Sequence, residues 1–155
     1  MDELDWAILG ELQRDARLSH SQLAKRVHST PPTVSARVKK LEDSGVISGY
    51  SARLNADLAG WPIMAFVRLA CYGESCILND PDARELAEVF EIHRVVGREC
   101  CIVKVRAVST SHFEAVIDRL SHYGPPMSTM VLSSPLTSSP IPSPGDLPTN
   151  DSMTE

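Results

Sequence analysis

Between Lys25 and Lys40 the chain carries Lys25, Arg26, Arg37, Lys39 and Lys40 and no acidic residue, although its formal net charge is −5 over 155 residues. Cations grouped on an otherwise acidic protein are suited to a polyanion, and their spacing here fits nucleic acid. Arg37, Lys39 and Lys40 interleave with the apolar residues Val34, Val38 and Leu41. Steps of four and then three residues hold one helical face against a core and turn the opposite positions outward. At about 100° per residue, the outward positions are Pro32, Ser35, Ala36, Lys39 and Lys40, with Thr33 and Arg37 on the flanks. Small side chains there admit close approach to a surface, and the basic ones attract phosphate. The start of this helix is also legible: Thr30 serves as N-cap, Pro31 fits the first turn, and Gly45 follows as a stop. A capped start presents N–H groups and the positive end of the helix dipole, so Ser29, Thr30 and the adjoining amides are expected to hold a phosphate, with Arg26 close by.

Two further segments position this helix. Ser19 and Gln22 form a capping box ahead of Leu23, Ala24 and Val27, and Leu4, Ile8, Leu9 and Leu12 mark an amphipathic helix upstream. Three helices within residues 1–45 make a small bundle of the helix-turn-helix, winged-helix-like type, whose second short helix leads into a reading helix.

Composition sets outer bounds. A 155-residue chain with 43% hydrophobic content builds one ordinary domain or two small ones. Its acidic balance argues against indiscriminate coating of nucleic acid or of an anionic membrane. No apolar run approaches the roughly 20 residues needed to span a bilayer, and Met1-Asp2-Glu3-Leu4-Asp5 lacks the basic start of a signal peptide. A soluble, cytoplasmic protein with no membrane partner is expected. The four cysteines, at 71, 76, 100 and 101, form neither a CxxC pair nor a familiar zinc spacing. They read as small buried hydrophobes, so no metal and no cofactor is expected. Cys100 and Cys101 fall in an apolar run with strand character, which sends their side chains to opposite faces.

After Gly45 the period changes. Tyr50, Ala52 and Leu54 alternate with polar residues, so residues 46–61 read as a linking strand and linker. Ile63 to Tyr72 is apolar on both alternating faces: Ile63, Ala65, Val67, Leu69 and Cys71 on one, Met64, Phe66 and Ala70 on the other. One face should lie under the domain's own helices, and the other needs a second sheet. Asp80 and Pro81 then open a helix with Leu86, Ala87, Val89 and Phe90 inward. Strands follow at about His93 to Val96 and Cys100 to Ala107, with Gly97 in the turn between them. A second helix starts at a Ser111 to Glu114 capping box and shows Phe113, Val116, Ile117 and Leu120 before Gly124. The last strand is Met127 to Ser133. Residues 62–134 thus give an α+β, ferredoxin-like βαββαβ unit. Residues 135–155, rich in proline and serine, read as a disordered tail.

A helix-turn-helix followed by a linking strand and this split sheet resembles the Lrp/AsnC family, the feast/famine transcriptional regulators. The resemblance rests on Leu4-Asp5, Ile8-Leu9, Leu12, Leu18-Ser19, Leu23-Ala24, Val27, Pro31, Val34, Arg37-Val38, Leu41-Glu42, Gly45-Val46-Ile47 and Gly49-Tyr50. It implies a sequence-specific regulator that binds double-stranded DNA. It also implies a homodimer joined through the sheets of its second domains, often assembled into an octamer. A small effector such as an amino acid would bind near the turn between the middle two strands. Many members carry Gly-Asp, an aromatic and a second Asp there, where this chain has Gly97-Arg98-Glu99-Cys100. Arg98 reverses a charge, which favours a carboxylate or another anion over an ammonium. Two alternatives share parts of this pattern. An architectural DNA-wrapping protein would use the same residues with weak specificity. A siroheme decarboxylase-like enzyme would need a His-rich second domain, but the five histidines, at 20, 28, 93, 112 and 122, are dispersed. No enzyme is therefore expected.

Overall fold

The computed structural model describes residues 1–73 and 75–147. They fall into two compact units, Met1–Ala52 together with the segment from Leu136, and Arg53–Pro135.

The first unit is the expected helical bundle. Helix α1 spans Glu3–Arg14, α2 spans His20–Arg26 and α3 spans Pro31–Asp43. Each has a built start: Asp2 and Asp5 close a capping box on α1, Ser19 and Gln22 close one on α2, and the Thr30 hydroxyl caps α3. Ile8, Leu9, Leu23, Ala24, Val34, Val38 and Leu41 form the buried core, and Leu4, Leu12, Leu18, Val27 and Ile47 pack around it. Each fully buried side chain of this kind contributes about 1.5–3 kcal/mol. Gly45 takes φ +74°, which lets the chain reverse so that the Ile47 N–H reaches the Leu41 carbonyl at 3.0 Å.

Two expectations for this unit and its surroundings differ from the structure. Residues 46–55 join no sheet, because among the described residues no strand lies alongside them. The described part of the expected tail adds no buried residue, yet the Gln13 side chain clasps Ile141 by accepting from its N–H at 2.7 Å and donating to its carbonyl at 3.1 Å. Residues 148–155 of that tail lie outside the described residues.

In the second unit, β1 (Ile63–Leu69), β2 (Val89–Arg94), β3 (Cys101–Ala107) and β4 (Pro126–Met130) form an antiparallel sheet in the order β2-β3-β1-β4. Helix α4 spans Thr110–Leu120 and follows β3 directly. This is the ferredoxin-like order with its first helix reduced to one 3₁₀ turn, Asp82–Arg84. The expected helix at 80–90 gives way because Val89 and Ile92 are claimed by the ladder, opposite Val105 and Val103. Too few residues remain for a stable helix between Asp80 and β2. Asp80 still organises the turn, accepting from the Asp82 N–H at 2.9 Å and from the Tyr123 hydroxyl, and that hydroxyl bond pushes Tyr123 up to about 12.

Helix α4 begins earlier than its sequence suggests. Ser109, not Ser111, is the N-cap, accepting from the His112 N–H at 3.1 Å. Beneath α4, Ala65, Val67, Leu69, Cys101, Val103, Val105, Val116 and Leu120 make the core. The other face of the sheet stays open, with Phe66 and Phe90 38% and 37% exposed. Lys104 lies 5.9 Å from the Phe66 ring and 5.0 Å from that of Phe90, and Arg106 lies 4.7 Å from Phe90. Among the described residues no helix is long and apolar enough to cross a membrane.

Candidate nucleic-acid interface and ligand groove

Helix α3 presents the face its pattern predicts. Pro32, Thr33, Ala36, Lys39 and Lys40 are exposed and Ser35 is half-buried, while Val34, Val38 and Leu41 point into the bundle. The turn from α2 to α3 places His28 at φ +50°, a left-handed conformation, and leads through half-buried Ser29 to Thr30.

The helix start is less suited to a phosphate than its capping implies. Pro31 and Pro32 have no N–H, and the Thr33 N–H is taken by the Thr30 hydroxyl at 3.4 Å. The Ser29 N–H is bonded to the Ala24 carbonyl at 2.9 Å. Fewer amides are therefore open at this turn than the capping pattern suggests. Beside them stand the dipole, the hydroxyls of Ser29, Thr30 and Thr33, and the lysines.

The cations divide by their neighbours. Arg37, expected on the flank of the reading face, turns instead toward the start of α1, where its guanidinium donates to Asp2 and, at 3.1 Å, to Asp5. The Asp5 side chain is only 4% exposed, so Arg37 supplies the charge that its burial requires. The Asp5 N–H and the Arg37 guanidinium hold the Asp2 carboxyl below its ordinary 3.8, and the two aspartates raise Arg37 in turn. Arg26 pairs with Glu11 at 2.9 Å, and Lys39 with Asp43 at 3.2 Å, both near the surface. Surface pairs of this kind are weak and readily exchanged for a phosphate. Among the described residues, Lys25 and Lys40 make no ion pair. The pairing of Asp2 and Asp5 with Arg37 is not among the sequence expectations, although an acid at the third helical position, in register with the apolar stripe, is the available signal.

In the second unit the turn between β2 and β3 edges a groove of about 610 Å³, whose walls include Tyr72, Asn79, Arg94, Gly97, Glu99 and Cys100. Three of the four expected ligand-turn residues face it. The fourth, Arg98, is exposed and lies outside the lining, with its carbonyl accepting from the Tyr72 hydroxyl at 3.1 Å. Cys100 and Cys101 do not point to opposite faces: Cys100 lies just before β3, where strand alternation does not apply, and both sulfurs lie near that of Cys71. Burial pushes the Cys101 thiol up to about 12.

Comparison with known proteins follows the same division of the chain. The profile for winged helix-turn-helix DNA-binding domains matches residues 1–48, and that for the Lrp/AsnC ligand binding domain matches residues 81–141. The chain is 37% identical over 134 residues to the HTH-type transcriptional regulator YezC of Bacillus subtilis, covering 86% of this chain and 95% of that one. Its fold superposes on a transcriptional regulator of Neisseria meningitidis in complex with L-Met, with a TM-score of 0.85, 26% identity and coverage of 95% and 99% of the two chains. It also superposes on the feast or famine regulatory protein of Mycobacterium tuberculosis complexed with L-methionine, with a TM-score of 0.76, 31% identity and coverage of 86% and 92%.

Proposed function

The chain belongs to the Lrp/AsnC family of DNA-binding transcriptional regulators, and from that premise we propose that it binds DNA as a homodimer, built up in turn toward an octamer. Each copy lays α3 in a major groove. Lys39 and Lys40 meet phosphates or guanine edges, and Pro32, Thr33, Ser35 and Ala36 set the fit to the bases. Ser29, Thr30 and Arg26 lie along the backbone. The observation that carries this reading is the exposed side of α3, where small residues and two lysines stand opposite a buried apolar stripe. A twofold dimer would place its two reading helices on half-sites about one or two helical turns apart.

The groove beside Gly97, Glu99 and Cys100 is the proposed effector site, with an amino acid as the ligand class. Two relatives were solved with methionine, and the groove mixes apolar lining with Arg94 and Glu99, which suits a zwitterion. Arg98 stands outside it and would meet the ligand's carboxylate only from the rim.

The test is duplex binding by Lys39→Ala and Lys40→Ala variants, measured across a salt series. Each lost phosphate contact should lower the slope of log K against log salt by about 0.9 and weaken binding on all sequences. Unchanged affinity and slope in both variants would remove α3 as the reading element.

A further inference from the structure

The chain's four cysteines come from two stretches of the sequence, 71–76 and 100–101, and their sulfurs gather around that of Cys71 in the second unit. Cys71 Sγ lies 2.7 Å from Cys76 Sγ, 2.7 Å from Cys100 Sγ and 3.9 Å from Cys101 Sγ, and Cys76 Sγ is 3.8 Å from Cys100 Sγ. The sulfurs of Cys71, Cys100 and Cys101 all lie within 4.8 Å of one another. Cys71, Cys76 and Cys101 are buried and Cys100 is half-buried, and the groove beside the β2–β3 turn is lined by Cys71, Cys76 and Cys100.

We propose that the thiols of Cys71, Cys100 and Cys101, joined by Cys76 from its place beside Cys71 and Cys100, form a binding site for a thiophilic d¹⁰ cation, Zn²⁺ or Cu⁺. Independent packing of four small hydrophobes gives no reason for three sulfurs to gather around a fourth, whereas a coordination sphere does. Sulfur is the donor both ions take readily, and among the described residues no carboxylate or imidazole belongs to the cluster. A tetrahedral site with Zn–S bonds of about 2.3 Å places its sulfurs about 3.8 Å apart. Two of the sulfur pairs already stand at 3.8 and 3.9 Å. The two short pairs share Cys71, so moving that one side chain outward by about 1 Å opens both. The Cys71 N–H donates to Cys100 Sγ at 3.1 Å, a backbone bond that would steady a thiolate ligand. As each sulfur–metal bond forms, a thiol proton leaves to solvent, and no electron is transferred.

Such an ion would tie the end of β1 to the start of β3, across the turn already held by Val95 N–H to Cys100 carbonyl and Cys100 N–H to Leu69 carbonyl bonds of 3.0 and 2.9 Å. It would stiffen one wall of the groove. The site does not depend on DNA binding, so its test does not use DNA.

The full chain, reduced and freed of metal with a chelator under anaerobic conditions, would be titrated separately with Zn²⁺ and with Cu⁺. Native mass spectrometry should show uptake of one ion per chain in at least one arm, with the cysteines protected from alkylation and Tm raised. The Cys71→Ser variant should lose stoichiometric uptake. Cys100→Ser, at a half-buried position that spares the core, should lose it as well while keeping the wild-type circular dichroism spectrum. Failure of the folded, reduced chain to take up either ion would overturn the proposal, as would wild-type uptake by both variants. Formation of a Cys71–Cys76 or Cys71–Cys100 disulfide on peroxide treatment, in a chain that binds neither ion, would identify a redox pair and also overturn it.

Discussion

Arg37 lies on a helix rich in cations, but its guanidinium is committed to two aspartates of the same unit. Asp5 is buried beneath it, so truncation leaves a carboxylate with its charge unpaired against the core. Arg37→Ala should therefore lower the Tm of the helical unit and reduce DNA binding only as the folded fraction falls. Lys40→Ala, at an exposed lysine with no ion pair among the described residues, should leave Tm unchanged and weaken binding directly. Differential scanning fluorimetry beside a duplex titration separates the two, and equal Tm for both variants would contradict the clamp. The same contact sets a pH response. Asp2 is held below its ordinary 3.8 by the Asp5 N–H and then by Arg37. A carboxylate whose folded value is depressed adds stability that is present above its unfolded value and lost as pH falls through the folded one. Unfolding followed by Trp6 fluorescence in a Trp61→Phe background should therefore show stability declining below about pH 4, and less steeply in Arg37→Ala.

At the scale of elements, caps and packing decide where helices begin. Ser109→Ala should cost about 1 kcal/mol, because it strips the N-cap of α4, whereas Ser111→Ala should stay within about 0.5 kcal/mol. Chemical denaturation of the two variants distinguishes these starts, and the reverse ranking would restore the later one. The misplacement has a plain cause: Ser111 and Glu114 satisfy the capping-box pattern as well as Ser109 and His112 satisfy a simple cap, and only the end of β3 at Ala107 chooses between them. The bundle was legible throughout, since Val34, Val38 and Leu41, the Ser19–Gln22 box and Gly45 are local signals that agree with one another. The segment from Asp80 to Phe90 was not. Leu86, Ala87, Val89 and Phe90 have helical spacing, but pairing of Val89 with Val105 is a long-range fact that no local pattern reports. The shortage of N–H donors at Pro31 and Pro32 was in principle readable, because it is a property of the residues themselves. The gathering of four sulfurs was not, since Cys71 and Cys100 meet only through the β1–β3 register.

For the whole molecule, the proposed dimer turns on the open sheet face. Phe66 and Phe90 together with Met64, Ile102 and Met127 share this face with Lys104 and Arg106, so it is neither a plain apolar patch nor an ordinary wet surface. The cations lie over the rings, and Lys104 is also paired with Glu91 at 2.9 Å. A face that carries acid, base and aromatic side by side can be complementary to itself under twofold rotation, which the proposed dimer requires. Phe66→Asp tests this directly. In the single chain the new carboxylate would stand beside Lys104 near the surface, so folding should survive. In a closed sheet-to-sheet contact the same carboxylate would lose its water and displace an aromatic anchor. Sedimentation velocity should then show monomers at concentrations where the wild type is dimeric, with the circular dichroism spectrum unchanged. DNA affinity should fall further than in either lysine variant, because two half-sites can no longer be held by one particle. A Phe66→Asp chain that still sediments as a dimer would place the interface elsewhere, and the open face would then need another reason to keep its aromatics under a layer of cations.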